Sequence, residues 1–86
     1  MNNVQPSRPT LPRCRVVLHR TTDMGLLFVV NVLRELTRFG EAEAMNRMWE
    51  AYHRGRSLVL ETHQERAELY VEQFADRGLL ASIEPA

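Results

Sequence analysis

The hydrophobic positions along the chain change their spacing several times, and each change marks a different structural element. Residues 14–19, Cys-Arg-Val-Val-Leu-His, form a short β-branched run that is typical of a strand. From Asp23 onward the spacing becomes helical, with apolar residues at i, i+3, i+4, i+7 and i+10: Leu26, Val29, Val30, Leu33 and Leu36. We expect Asp23 to be the N-cap of this helix, because its carboxylate can accept backbone N–H groups that the first turn leaves unpaired. Gly40 marks the end of the helix.

A second helix is predicted between Glu41 and Gly55, with four residues at helical spacing: Met45, Met48, Trp49 and Tyr52. Residues 57–61 are typical of a strand. A third helix starts near Gln64, ends before Gly78 and has one apolar face: Ala67, Tyr70, Val71 and Phe74. Residues 79–84 form the last predicted strand, which Pro85 terminates. The predicted order is β-α-α-β-α-β, which indicates one sheet with helices packed on it.

Length and composition place these elements in one domain. The chain has 86 residues, of which 44% are hydrophobic and 26% charged, as in an ordinary soluble globular domain. Residues 1–13 contain three prolines and few apolar side chains, so we expect them to form a flexible tail. The folded domain is predicted to span residues 14–86.

The charge balance argues against two classes of partner. Eleven basic and eleven acidic residues give a formal net charge of zero, so no overall field attracts nucleic acid or an anionic membrane. All eleven basic residues are arginines, which excludes a mechanism that needs a nucleophilic lysine. No apolar run approaches the roughly 20 residues of a membrane-spanning helix, and the first residues lack the apolar core of a secretory signal. We therefore predict a cytoplasmic protein.

No group of residues indicates catalysis. Histidines 19, 53 and 63 lack the spacing of a metal site, and neither Cys14 nor Ser57 lies in a nucleophile motif. We expect no metal, no cofactor and no enzymatic activity, and we expect Cys14 to be a small buried side chain. The first two helices carry more apolar residues than one stripe can bury. Methionines and aromatic residues usually pack in the core. Near a polar loop they can also line an adaptable pocket, and composition alone leaves both roles open.

Four segments resemble the ClpS family, the adaptors of the ATP-dependent Clp protease: VVLHRTTDMGLLFVVNVLREL, MWEAYHRGRSLV, ERAELYVEQF and LLASIE. The resemblance runs without a gap from about Val16 to Phe74 and resumes at the last strand, after a short deletion. It implies an α+β two-layer sandwich, in which a small three-stranded antiparallel sheet packs against three helices. It also implies a monomeric adaptor that passes protein substrates to an AAA+ unfoldase.

Members of this family hold a substrate's bulky N-terminal residue, the N-degron, in an apolar pocket. Residue-by-residue matching implies that five residues form the apolar wall here: Leu26, Val29, Met48, Ala51 and Leu79. Leu26 occupies the position of a gating methionine in the family, whereas Met48 retains the family's residue type.

The polar rim of the pocket departs from the family pattern. Relatives carry Asn-Asp-Asp after the first strand and a histidine on the second helix, and this chain has Arg20, Thr21, Thr22 and Tyr52 there. The family rim accepts hydrogen bonds from the substrate's α-ammonium group, whereas arginine only donates them and always carries a positive charge. We therefore predict atypical N-degron recognition, with a neutral blocked terminus, a carboxylate or an internal acidic segment as the favoured ligand.

The third helix matches the family's surface for the N-terminal domain of the Clp unfoldase. The resemblance assigns this contact to Glu65, Glu68 and Tyr70, although the family usually has lysine in place of Tyr70. An alternative hypothesis is a protein-interaction module or regulator with the same fold that no longer binds N-degrons.

Overall fold

The computed structural model describes residues 12–86, so most of the predicted tail (residues 1–13) lies outside the described residues. The described chain forms three strands and three helices in the predicted order: β1 (Arg13–His19), α1 (Leu26–Leu36), α2 (Glu41–Arg54), β2 (Arg56–His63), α3 (Gln64–Asp76) and β3 (Ala81–Pro85). No helix in residues 12–86 is long and apolar enough to cross a membrane.

The first strand is the centre of the sheet. The strand order is β2-β1-β3, and both neighbours run antiparallel to β1, with Val16 opposite Leu60 on one side and Ile83 on the other. The α+β fold with a three-stranded antiparallel sheet is therefore confirmed. β3 begins at Ala81, two residues later than predicted, and ends at Pro85, which is itself paired with Cys14. Proline is tolerated there because it lies at the end of an edge strand.

The core lies between this sheet and the three helices. Alternate residues of β1 point toward the helices, and Val16 and Leu18 are almost fully buried there. Leu33 of α1 and Phe74 of α3 have no exposed surface and meet in the same cluster. Cys14 is buried with a free thiol, as predicted.

An ion pair joins the two edge strands across β1. The guanidinium of Arg56 on β2 lies 2.5 Å from the carboxylate of Glu84 on β3. The hydrogen bond from Arg56 holds the pKa of Glu84 below its ordinary value, and the same contact raises the pKa of Arg56. Because the carboxyl pKa is lowered on folding, this contact stabilises the fold above the ordinary glutamate pKa. The contribution is lost as the pH falls through the lowered pKa of Glu84.

The prediction that Asp23 caps α1 is wrong. The helix begins at Leu26, its N-cap is Gly25 in an extended conformation, and no side chain caps it. Met24 precedes the helix, and its partly buried side chain packs against the core. Its methyl group lies so close to Gly78 that a Cβ at Gly78 would collide with it.

The buried face of α2 also differs from the predicted one. Of the four predicted residues, Met48 is buried and Met45 is partly buried against the core, and the helix also buries Ala44 and Ala51. Trp49 and Tyr52 are 40% and 43% exposed. The small alanine side chains allow the helix to approach the rest of the core closely, which turns the large aromatic side chains outward.

Leu33 tests this account of the core. We expect Leu33→Ala to lower the free energy of unfolding by about 3 kcal/mol, because it removes a fully buried side chain and leaves a cavity. The same change at Leu27, which lies on the same helix and is 72% exposed, should cost less than about 0.5 kcal/mol. Urea unfolding monitored by circular dichroism measures both, and equal losses would contradict the proposed packing.

Candidate functional site

A cleft lies where the end of β1 meets α1 and α2. Four of the five residues predicted for an apolar wall line it: Leu26, Val29, Met48 and Ala51. Three of the four predicted rim residues form its polar edge: Arg20, Thr21 and Tyr52. Residues that are far apart in the sequence are thus brought together by the fold at one place.

Two of the predicted residues do not line this cleft. Leu79 is 2% exposed and belongs to the core cluster, where it follows the turn at Gly78. Thr22 is exposed, and its hydroxyl donates to the carboxylate of Asp23 at 3.4 Å.

Sequence reasoning missed two residues of the cleft, Leu18 and His19 at the end of β1. His19 Nε2 and Ser82 Oγ lie 2.6 Å apart, a hydrogen bond that joins β1 to β3 beside the cleft. The alternation along β1 is the signal for Leu18, because it places Leu18 on the same face as Val16. No sequence signal indicates the contact between His19 and Ser82, which depends on the pairing of strands 63 residues apart.

The cleft is almost completely filled by its own lining. Its free volume is about 10 Å³, roughly the space that one water molecule needs. A bulky side chain therefore enters only if a lining residue moves. Tyr52 lines the cleft and is 43% exposed.

Arg20 directs its charge toward the end of α2. Its Nε donates to the carbonyl of Tyr52 at 2.8 Å, and a terminal nitrogen donates to the carbonyl of His53 at 3.3 Å. These are carbonyls of the last helical turn, which have no partner within the helix. The helix then stops at Gly55, whose left-handed φ of 90° strongly favours glycine. Arg20 thus acts as a side-chain cap that places a positive charge at the negative end of the helix dipole.

The remaining polar groups of the cleft carry no negative charge. No residue that lines it is a carboxylate, and the lining side chains with hydrogen-bond acceptor atoms are Thr21, Tyr52 and His19. A bound ammonium group would therefore find hydrogen-bond acceptors but no counter-charge. Residues 12–86 contain no group of three metal-ligating side chains.

The residues predicted to contact the unfoldase lie on two sides of α3. Glu65 and Glu68 are exposed and line an open groove of about 350 Å³ with Pro12, His63 and Gln64. Tyr70 follows Glu65 by five residues, which places it about 140° further around the helix. Its ring is half-buried, with the guanidinium of Arg66 5.9 Å from its centre.

The cap formed by Arg20 can be tested by its effect on α2. We expect Arg20→Ala to lower the free energy of unfolding by about 1 kcal/mol, because the carbonyls of Tyr52 and His53 lose their donors. The amide of Gly55, which closes the last turn, should exchange faster with solvent.

Arg54→Ala is the matched control, because Arg54 lies at the same helix end but pairs only with Glu50. It should cost less than about 0.5 kcal/mol. Equal effects of the two substitutions on exchange at Gly55 would contradict the role of Arg20.

Comparison with known proteins identifies the family. The sequence profile of the family described as "ATP-dependent Clp protease adaptor protein ClpS" matches residues 10–82. The ClpS adapter of Synechococcus sp. (strain CC9902) is 37% identical over 79 residues, which cover 91% of this chain and 76% of the relative. The adapter of Synechococcus elongatus is 38% identical over 79 residues, covering 91% and 83%.

The fold agrees with a solved structure of the same family. Agrobacterium tumefaciens ClpS2 bound to L-phenylalaninamide superimposes with a TM-score of 0.86 at 23% identity, covering 90% of this chain and all of that one. The chain belongs to the ClpS family of adaptor proteins of the ATP-dependent Clp protease.

Proposed function

We propose that this adaptor binds the N-terminal domain of a Clp AAA+ unfoldase and presents substrates whose apolar terminal residue enters the cleft between α1 and α2. Recognition of the terminus is atypical, since the cleft favours a neutral, blocked N-terminus over a free ammonium group. The observation that carries this proposal is the combination of an apolar wall with a rim that contains Arg20 and no carboxylate.

Electrostatics explains the expected preference. Two positive charges about 4 Å apart repel by roughly 4 kcal/mol at an effective dielectric constant of 20. Arg20 already donates to two carbonyls, which offset part of its charge, so the net penalty for an ammonium is smaller. A penalty of about 1.4 kcal/mol still lowers the affinity tenfold. An acetylated terminus avoids it and offers a carbonyl to the donors of the rim.

Entry of a substrate side chain requires the cleft to open. The ring of Tyr52 contacts Trp49 and His53 edge-on, at centroid distances of 5.9 and 5.3 Å, and 43% of Tyr52 is exposed. Tyr52 is far more exposed than Val29 and Met48, which are buried in the core. Tyr52 is therefore the proposed gate of the cleft.

Two small ligands that differ only in the blocking group test this recognition. L-phenylalaninamide carries a free amino group, and it is the ligand in the A. tumefaciens ClpS2 structure. N-acetyl-L-phenylalaninamide is neutral. We expect the protein to bind the acetylated ligand at least tenfold more tightly in isothermal titration calorimetry.

A variant that restores the family rim provides the converse measurement. Arg20→Asn, Thr21→Asp, Thr22→Asp and Tyr52→His together should reverse the preference, because they remove the positive charge from the edge of the cleft and place a carboxylate there at position 21. Tighter binding of the free ligand by the unchanged protein would contradict atypical recognition.

The acidic surface of α3 supports the proposed contact with the unfoldase. We expect Glu65→Lys/Glu68→Lys to weaken binding to the isolated N-terminal domain of a Clp unfoldase at least tenfold, because the two substitutions reverse the charge of exposed residues. Surface plasmon resonance measures this affinity. Glu41→Lys/Glu43→Lys makes the same charge change at the first turn of α2 and should leave it unchanged. An equal loss in both variants would contradict a contact specific to α3.

The free volume of about 10 Å³ favours a second candidate, a regulator that binds the unfoldase without selecting N-degrons. This candidate predicts that neither phenylalanine ligand binds, whereas the contact through α3 is retained. If the protein binds neither the phenylalanine ligands nor the unfoldase, the remaining candidate is a protein-interaction module with another partner.

A further inference from the structure

The arginines of this chain differ in whether they have a partner. Ten of the eleven lie within residues 12–86. Among these ten, seven contact a carboxylate or a backbone carbonyl: Arg13, Arg15, Arg20, Arg47, Arg54, Arg56 and Arg77. In the described part of the chain, Arg34, Arg38 and Arg66 make no such contact. Arg66 instead packs against the ring of Tyr70.

Two of these three arginines line one groove. Arg34 and Arg38 lie four residues apart at the end of α1, on an open groove of about 420 Å³. The half-buried ring of Phe39 contributes apolar surface to it. The groove also contains Glu35, but Arg77 forms an ion pair with that carboxylate. The groove therefore carries an excess of positive charge beside an apolar ring.

Stabilisation of the helix end does not account for both arginines. Cations near a helix C-terminus compensate the helix dipole, which explains a basic residue in the last turn. Here the carbonyl of Leu33 already accepts from the backbone N–H of Thr37 at 3.0 Å and from its hydroxyl at 2.6 Å. Arg38 lies beyond the last residue of the helix. In addition, residues 1–11 contain no aspartate or glutamate that could pair with these arginines.

We propose that this groove binds an acidic peptide segment of a partner protein, with carboxylates on Arg34 and Arg38 and an apolar side chain against Phe39. Arginine suits this role because its planar guanidinium can donate two parallel hydrogen bonds to one carboxylate. Two cations without a partner in residues 12–86, on a chain of zero net charge, match a short acidic peptide. Nucleic acid is disfavoured, because its affinity comes from neutralising many phosphates.

The groove is separate from the cleft. Arg34 follows Leu26 by eight residues of the same helix, which corresponds to about 12 Å along the axis. An acidic segment bound there leaves the cleft mouth free. This second binding site goes beyond the proposed function, and its test uses neither the unfoldase nor a ligand of the cleft.

The probe is a fluorescein-labelled peptide of twelve residues in which glutamate alternates with leucine or phenylalanine. Fluorescence anisotropy with the full chain should show binding that weakens with added salt, as expected for exposed ion pairs. Arg34→Glu/Arg38→Glu should weaken it at least tenfold, and Arg34→Gln/Arg38→Gln should weaken it less. Phe39→Ala should weaken it severalfold.

Arg54→Glu/Arg66→Glu is the control, because it changes the net charge by the same amount on other surfaces and should retain the affinity. Circular dichroism and urea unfolding establish that each variant is folded.

Four results would overturn the proposal. The first is equal binding of a peptide with glutamine in place of glutamate, and the second is an equal loss of affinity in the Arg54/Arg66 control. The third is displacement of the peptide by inorganic phosphate, and the fourth is tighter binding of a DNA duplex that depends on Arg34 and Arg38. Phosphate displacement would indicate a simple anion site, and duplex binding a nucleic-acid surface.

Discussion

The close approach of α2 to the rest of the core determines most of what lies around the cleft. It depends on Ala44 and Ala51, which are buried and small enough for the helix backbone to come near its neighbours. With these two residues inward, Met48 enters the core at the cleft and Tyr52 is directed to its mouth. The end of the helix is then within reach of Arg20, which follows β1 directly and donates to the last carbonyls of the helix. A larger residue in place of either alanine would displace the wall, the mouth and the cap together.

Arg20 has a structural role at the edge of the cleft. In the family pattern this position carries an asparagine, a short side chain that can accept hydrogen bonds. The longer arginine reaches the helix end and satisfies carbonyls that would otherwise require water. The helix end is thereby stabilised, while the rim has a positive charge and only neutral acceptors. The filling of the cleft also opposes ligand binding, because the lining side chains occupy the space that a ligand would need.

The sequence predicted the order of elements because short β-branched runs are distinct from the segments whose apolar residues follow the helical period of about 3.6, and because glycines mark the helix ends. It also identified seven of the nine residues that line the cleft, through a resemblance whose motifs lie on β1, α1 and α2. It failed where the outcome depends on volume instead of hydrophobicity. Large residues such as Trp49 dominate a hydrophobic pattern, yet alanines occupy the buried face of α2. The start of α1 was also missed, because Asp23 has the residue type of an N-cap but the helix begins at Leu26 without a side-chain cap.

The outward orientation of Trp49 has a practical consequence. It is the single tryptophan of the chain, stacked on His53 at 5.1 Å and touching Tyr52 edge-on. The indole is therefore a natural fluorophore placed one helical turn from the mouth of the cleft. A movement of Tyr52 would change the surroundings of the indole, so the emission spectrum can test the proposed opening of the cleft without an attached dye.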